Sequence, residues 1–287
     1  MPAVVGSVRD ALGSAADAFA AAGVDTPRLD AELLLAEATG LDRARLAAEP
    51  DAPVAPGPAR EFAAMVRRRL VREPVAYILG RKGFRRLELA VDPRALIPRP
   101  ETELLVEVGK ETIKGSDPLT ERLHLLDVGT GSGAVALAVA DEVPAAEVTA
   151  TDTSAAALRL AAENAERLGL GDRVRFELGS LPEGGRYDLL VANLPYVTEA
   201  EWATLAPEIS RYEPRAALVP GPSGLEAIDA VLGELSLGRC EAAAVALEVG
   251  AGQAPAVAEL VRRAGFDSVE ARRDLAGIER VVLGVDT

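Results

Sequence analysis

The stretch Leu125-Leu126-Asp127-Val128-Gly129-Thr130-Gly131-Ser132-Gly133-Ala134 constrains the fold of this chain more than any other. An apolar run gives way to a loop with glycine at every second position. Val135-Ala136-Leu137-Ala138-Val139-Ala140 then continues as a strong helix former. Glycines this close let the backbone approach a ligand and adopt positive φ. A helix starting directly after the loop points unpaired N–H groups at whatever sits there. Gly129, Gly131 and Ala134 satisfy G-x-G-x-x-G/A, the dinucleotide fingerprint. The pattern predicts a nucleotide cradle without naming the nucleotide.

The cradle opens an alternating series. Strands are expected at Leu123–Val128, Glu147–Thr151, Arg173–Glu177, Tyr187–Ala192, Ala242–Val249, Val269–Arg272 and Arg280–Val285. Helices fall between them at Ala134–Asp141, Ser154–Leu168, Leu225–Leu235 and Gln253–Ala264. This is an α/β, Rossmann-like fold: a seven-stranded, mostly parallel sheet with helices on both faces and an antiparallel pair at the end. Residues 1–75 read instead as a small helical bundle. Its helices are Ser7–Ala22, one from Thr26-Pro27 to Gly40, one capped by Asp42, and Ala59–Arg72 with Phe62, Met65, Val66 and Leu70 inward. Residues 76–100 read as a linking hairpin from Gly83–Val91 and Ala95–Pro98, and 101–287 as the catalytic domain.

Composition narrows the class. Aromatics are only 3%, so Ala, Val and Leu must fill the core. The one cysteine, Cys240, excludes an internal disulfide framework and reads as a buried thiol, and the one histidine, His124, as structural. No metal site is expected. No signal peptide is evident and no run reaches about 18 apolar residues, so a cytoplasmic protein with no membrane contact is expected. A net charge of −14 argues against direct nucleic-acid binding. Between Arg60 and Arg99, however, eleven basic residues face four acidic ones, a local balance of +7. That stretch reads as a solvated surface, with a docking surface as the sharper alternative.

Asp152, 19 residues after Gly133, ends the second strand, where an acid accepts hydrogen bonds from ribose hydroxyls. It does not separate a nicotinamide cofactor from S-adenosylmethionine. Asp127, two residues before the first glycine, leans towards the latter, as a partner for a cationic amino-acid end. Asn193-Leu194-Pro195-Tyr196 closes the fourth strand over the same crevice. An Asn oxygen and the carbonyl of residue 194 can accept the two N–H bonds of a planar –NH₂ group while Tyr196 stacks on its face. Such a clamp serves a poor nucleophile by positioning it against an electrophilic methyl.

Taken together, the chain resembles the HemK/PrmC family of protein glutamine methyltransferases. The resemblance rests on Glu73–Gly80, Leu96–Glu103, Asp127–Gly133, Asn193–Tyr196, Tyr212-Glu213-Pro214, Gly221–Leu225 and Glu248-Val249-Gly250, in family order. It implies a class I S-adenosylmethionine-dependent methyltransferase fold and methylation of N5 of the glutamine in the Gly-Gly-Gln motif of class 1 peptide chain release factors. It further implies that the helical domain grips the release factor; a monomer is expected. Asp127, Gly129, Thr130, Gly131, Ser132, Gly133, Asp152 and Asn193 would then hold the cofactor. Asn193, Leu194, Pro195 and Tyr196 would hold the glutamine, with Asn193, Pro195 and Tyr196 catalytic. Two departures stand out. Leu194 replaces a family proline, which removes the ring that locks φ but keeps the carbonyl and the pre-proline bias to extended backbone. Ser180 replaces a family acid near the adenine, keeping a hydrogen-bonding group without its charge, and Leu181 is expected to pack on the base. The alternatives are a DNA adenine methyltransferase, a nicotinamide-dependent oxidoreductase, and a translation-associated binding protein without catalysis.

Overall fold

The structure, a computed structural model, describes residues 6–113 and 123–286. The first five residues of the expected helical domain, the segment ahead of the first core strand and the final threonine lie outside the described residues. The helices are α1 (Val8–Ala21), α2 (Pro27–Thr39), α3 (Arg43–Ala48), α4 (Pro56–Leu70), α5 (Val75–Leu79), α6 (Glu103–Ile113), α7 (Ala134–Glu142), α8 (Ala155–Leu168), α9 (Glu199–Trp202), α10 (Pro207–Tyr212), α11 (Glu226–Ser236) and α12 (Ala254–Arg263). The strands are β1 (Arg81–Phe84), β2 (Leu87–Ala90), β3 (Leu123–Val128), β4 (Ala146–Asp152), β5 (Val174–Leu178), β6 (Arg186–Tyr187), β7 (Leu189–Ala192), β8 (Glu241–Ala242), β9 (Ala244–Glu248), β10 (Ser268–Arg273) and β11 (Glu279–Val285).

These elements form two units. One holds the described residues up to Gly80 together with Ala206–Tyr212; the other holds Arg81–Leu205 and Glu213 onward. In the first, Ser7 caps α1 through a reciprocal capping box with Asp10, and Asp42 caps α3. Thr26 precedes Pro27 as expected but makes no cap bond; its hydroxyl donates to Asp30 instead. Phe19, Leu34, Leu35, Leu46, Phe62 and Ile78 fill the core. Helix α4 begins at Pro56, three residues before the expected Ala59. Its prolines sit in the first turn, where the missing N–H is no loss. Its inward residue near the end is Arg69 rather than Leu70. Arg69 donates to Asp30 at 2.7 Å and pairs with Glu208 of α10 at 2.8 Å; Glu208 also takes both ends of Arg72 at 2.6 Å.

In the second unit the strand order is β10-β11-β9-β7-β3-β4-β5, parallel except for β11 against its two neighbours. The strands of the sheet follow the expected ones to within a residue or two. Two of them are cut short. Asp188 and Ala243 interrupt the apolar runs, so that Arg186–Tyr187 and Glu241–Ala242 pair with each other as a separate ribbon. The linking hairpin is β1–β2 alone, turned at Arg85 (φ 54°). Ala95–Pro98 forms no strand, contrary to the expectation. Helix α7 is buried along Ala134–Ala140, packed among α6, β3 and β4, while α11 and α12 cover a second cluster with Leu126, Leu190 and Leu247. Cys240 is buried there as a free thiol. His124 is exposed near the start of β3.

The basic stretch from Arg60 to Arg99 is no open cationic surface. Seven of its eleven cations are ion-paired: Arg68, Arg69 and Arg72 in the first unit, Arg81, Arg85, Arg94 and Arg99 in the second. Arg85 and Lys110 together hold the Glu142 carboxyl down to about 2.

Candidate active site

The register of the sheet assembles the site. Val128 lies opposite Thr151 on one side and Ala192 on the other, and Ala192 lies opposite Leu247. The next residue along each strand is therefore Gly129, Asp152, Asn193 and Glu248. All four stand in one row at the C-terminal edge. The chain leaves β3 towards β4 and later returns to β7 on its other side, so the row spans a topological switch point, where open α/β sheets bind ligands.

Gly129 has φ 74°, and a Cβ there would come within 3.1 Å of the Leu194 side chain, so the loop and the β7 end leave room only for glycine. The N–H groups of Gly129 and Thr130 both donate to the Thr151 carbonyl at 2.9 Å. Asp152 Oδ2 accepts from Gly131 N at 2.9 Å and its Oδ1 from Ser154 N at 2.8 Å. Each oxygen keeps acceptor capacity for a hydroxyl. Burial raises the Asp152 pKa against these two bonds. Asp127 is 2% exposed, and burial pushes it up to about 6. Its Oδ2 takes the Thr130 hydroxyl at 2.7 Å and Ala136 N at 3.1 Å, which fastens the loop to the first turn of α7. The strand-end cap is thus real, and Oδ1 remains for a ligand.

Asp127, Gly129, Thr130, Gly131, Ser132, Asp152, Ser180, Asn193, Leu194 and Pro195 line a single cavity of about 220 Å³. Three expected site residues do not line it. Leu181 is buried in the cluster with Leu126 and Leu190, so it packs the core rather than a base. Gly133 keeps α7 close: a Cβ there would meet Leu137 at 2.9 Å and Ala161 at 3.2 Å. Tyr196 borders a neighbouring cavity with Gln253 and Arg280. Its carbonyl accepts from Gln253 Nε2 at 2.9 Å, and a Cβ on Gly224 (φ 76°) would come within 2.4 Å of that carbonyl.

Several residues of the cavity and its walls were visible in the sequence at most as motif, with no role at the site. Arg94, Leu96, Pro98, Arg99 and Thr102 line the cavity. Buried Glu213 holds that loop, accepting from Ile97 N at 3.0 Å and from the Arg99 guanidinium at 2.5 Å. Glu248 is 1% exposed; burial pushes it up to about 7 against the opposing effects of the Thr102 and Tyr196 hydroxyls. Its Oε1 accepts from the Tyr196 hydroxyl at 3.3 Å and its Oε2 has no hydrogen-bond partner. Asn193 Nδ2 donates to Thr102 Oγ1 at 2.9 Å. One signal could have found Glu248: like Asp127, it is a lone acid closing an apolar strand run.

A cradle of left-handed glycines, an acid tied to that loop with acceptor capacity left, and an Asn amide across the crevice fit a nucleoside ligand bearing a charged tail. Residues 10–80 match the family model of the PrmC N-terminal domain, and residues 125–212 match that of a methyltransferase domain. The release factor glutamine methyltransferase of Bordetella pertussis is 44% identical over 89% of this chain and 93% of its own length. That of Moorella thermoacetica is 42% identical over 96% of this chain and 98% of its own. The catalytic domain of human METTL16, solved with an RNA hairpin of the MAT2A 3′UTR, superposes with a TM-score of 0.56 at 14% identity, covering 69% of this chain and 75% of that one. At that identity the likeness concerns the fold alone.

Proposed function

We propose a function from a settled premise: this chain belongs to the release factor glutamine methyltransferase family. It is an S-adenosylmethionine-dependent enzyme that methylates N5 of the glutamine in the Gly-Gly-Gln motif of class 1 peptide chain release factors. One observation carries the reading. The glycine loop with Asp152, and Asn193 with Leu194, face one cavity from two sides.

When bound, S-adenosylmethionine supplies an electrophilic methyl on a sulfonium. The Gly129–Ser132 backbone and Asp127 hold its charged end, and Asp152 accepts from its ribose hydroxyls. Asn193 and the Leu194 carbonyl accept the two N–H bonds of the glutamine amide. Tyr196, which lines the neighbouring cavity, braces the clamp through Glu248. An amide nitrogen is a weak nucleophile, so rate comes from alignment and excluded water. No residue of the site has to deprotonate the amide beforehand: the amide would give its proton to solvent once it had gained the methyl, the donor having left as a neutral thioether. The helical unit grips the release factor and delivers its tripeptide; the separate match of residues 10–80 to a domain of this family supports that assignment. Transfer of labelled methyl to a release factor, with a Gln-to-Ala tripeptide variant as control, tests the reading. Equal labelling of both proteins overturns it.

A further inference from the structure

The amino-acid tail of S-adenosylmethionine carries two opposite charges, an ammonium and a carboxylate. Asp127 suits the first, because Oδ1 is left over once Oδ2 has taken the Thr130 hydroxyl and Ala136 N. The second needs donors. A glycine loop before a helix often supplies them from its backbone, but most of this loop is already engaged. Gly129 N and Thr130 N donate to the Thr151 carbonyl, Gly133 N to the Thr130 carbonyl, and Gly131 N to Asp152. A carboxylate enclosed without a partner is strongly disfavoured, so a side chain of the cavity wall has to meet it.

Among the described residues that wall holds two cations, Arg94 and Arg99. Arg94 is fully engaged: Nε and Nη2 donate to Asp92, and Nη1 and Nη2 to Glu163, so every nitrogen already faces a carboxylate. Arg99 is not. Its Nη2 donates to Glu213 at 2.5 Å, and no other described residue accepts from its guanidinium. An arginine has five N–H donors, so Nε and Nη1 keep theirs. Glu213 is buried and also accepts from Ile97 N, which holds the guanidinium from behind. The position of Arg99 matches as well. Its loop crosses the site from one half to the other. At one end Ala95 lies 3.9 Å from where a Cβ on Gly131 would stand, and Gly131 is the residue tied to Asp152. At the other end Thr102 accepts from Asn193 Nδ2 at 2.9 Å. Leu96, Pro98 and Arg99 line the cavity on the way. Arg99 thus stands on the wall between the ribose acceptor and the amide clamp. We propose that Arg99, held by Glu213, binds the carboxylate of the S-adenosylmethionine tail.

The inference rests on the methyl-donor reading, and its test separates the two. Calorimetry compares S-adenosylmethionine with its decarboxylated analogue, which keeps the nucleoside, the sulfonium and the ammonium. The wild type binds S-adenosylmethionine about 10-fold or more the tighter, as expected for a charge-assisted pair. Arg99→Gln weakens S-adenosylmethionine by about 10- to 100-fold, the usual loss for a hydrogen-bonded charged partner, and moves the analogue by less than about 2-fold. Arg99→Lys, which keeps the charge and loses the planar fork, falls between wild type and Arg99→Gln for S-adenosylmethionine and leaves the analogue alone. Equal affinity of the wild type for the two ligands, or an equal loss of both ligands in both variants, overturns the proposal and leaves the donor reading standing. A wild type that binds neither ligand overturns the donor reading and this proposal together.

Discussion

At the scale of single residues the site divides its labour. Asn193→Ala removes the acceptor for the substrate amide and leaves the glycine loop intact. It should abolish most transfer while calorimetry still finds cofactor binding largely intact. Asp152→Ala should do the opposite, weakening cofactor affinity roughly 10-fold or more, since hydrogen bonds to a charged acceptor contribute about 1.5–3 kcal/mol. Glu248 connects the site to pH. It is raised to about 7 from an ordinary 4.5, first by burial and then by the Glu101 charge, against Thr102, Tyr196 and Arg280. Below pH 7 it takes up a proton and is no longer a pure acceptor for the Tyr196 hydroxyl that braces the clamp, so kcat/KM should fall as pH drops through 7. Stability moves the other way. The folded state holds the proton more tightly than the unfolded state, so the burial cost of the charge is relieved as pH falls from 7 towards 4.5. Glu248→Gln should be slow at every pH and should flatten both profiles. An unchanged acid limb of kcat/KM in that variant would assign the titration to another group.

At the scale of elements, the sheet was readable because its strands are continuous Val/Ala/Leu runs between helices with clear caps. β3 matches its expected span end to end. What failed to show depends on partners far along the chain. Ala95–Pro98 has the look of a strand, yet its backbone is claimed by Glu213, 116 residues away. Arg69 reads as a solvated cation in α4, and only Asp30 and Glu208 make it a core residue. Glu101 and Glu103 look like dipole-complementing acids, which says nothing of the Thr102 between them turning inward to Asn193. The glycines of Gly221–Leu225 were visible as a motif and not as a reason. Gly224 has to pass under the Tyr196 carbonyl. Gly224→Ala should push the Asn193–Tyr196 segment out of register, costing at least about 1–3 kcal/mol of stability from strained backbone and contact. Chemical denaturation measures that loss, and a parallel drop in kcat shows whether the displaced carbonyl carries the clamp with it.

At the scale of the whole molecule, the helical unit is closed by a piece of chain from outside its own span. Glu208 neutralises buried Arg69 and partly buried Arg72, and Tyr212 reaches the Val71 carbonyl at 2.8 Å. Glu208→Ala leaves the buried Arg69 guanidinium with Asp30 as its one carboxylate and the partly buried Arg72 guanidinium without one. It should cost on the order of 3–5 kcal/mol, the usual result of removing one partner of a buried pair. Urea titration with a probe in the helical unit measures it. The same arrangement sets an order of events during synthesis. The first 80 residues leave the ribosome with α1 to α5 but without Glu208, the carboxylate that Arg69 and Arg72 share, which lies more than 120 residues downstream. At about 5–20 residues per second the nascent unit waits roughly ten seconds for residue 212, a window in which it is exposed to proteases and chaperones. Stalled chains ending near residue 150 should be cleaved readily within this unit, and chains long enough to free residue 212 from the exit tunnel should resist.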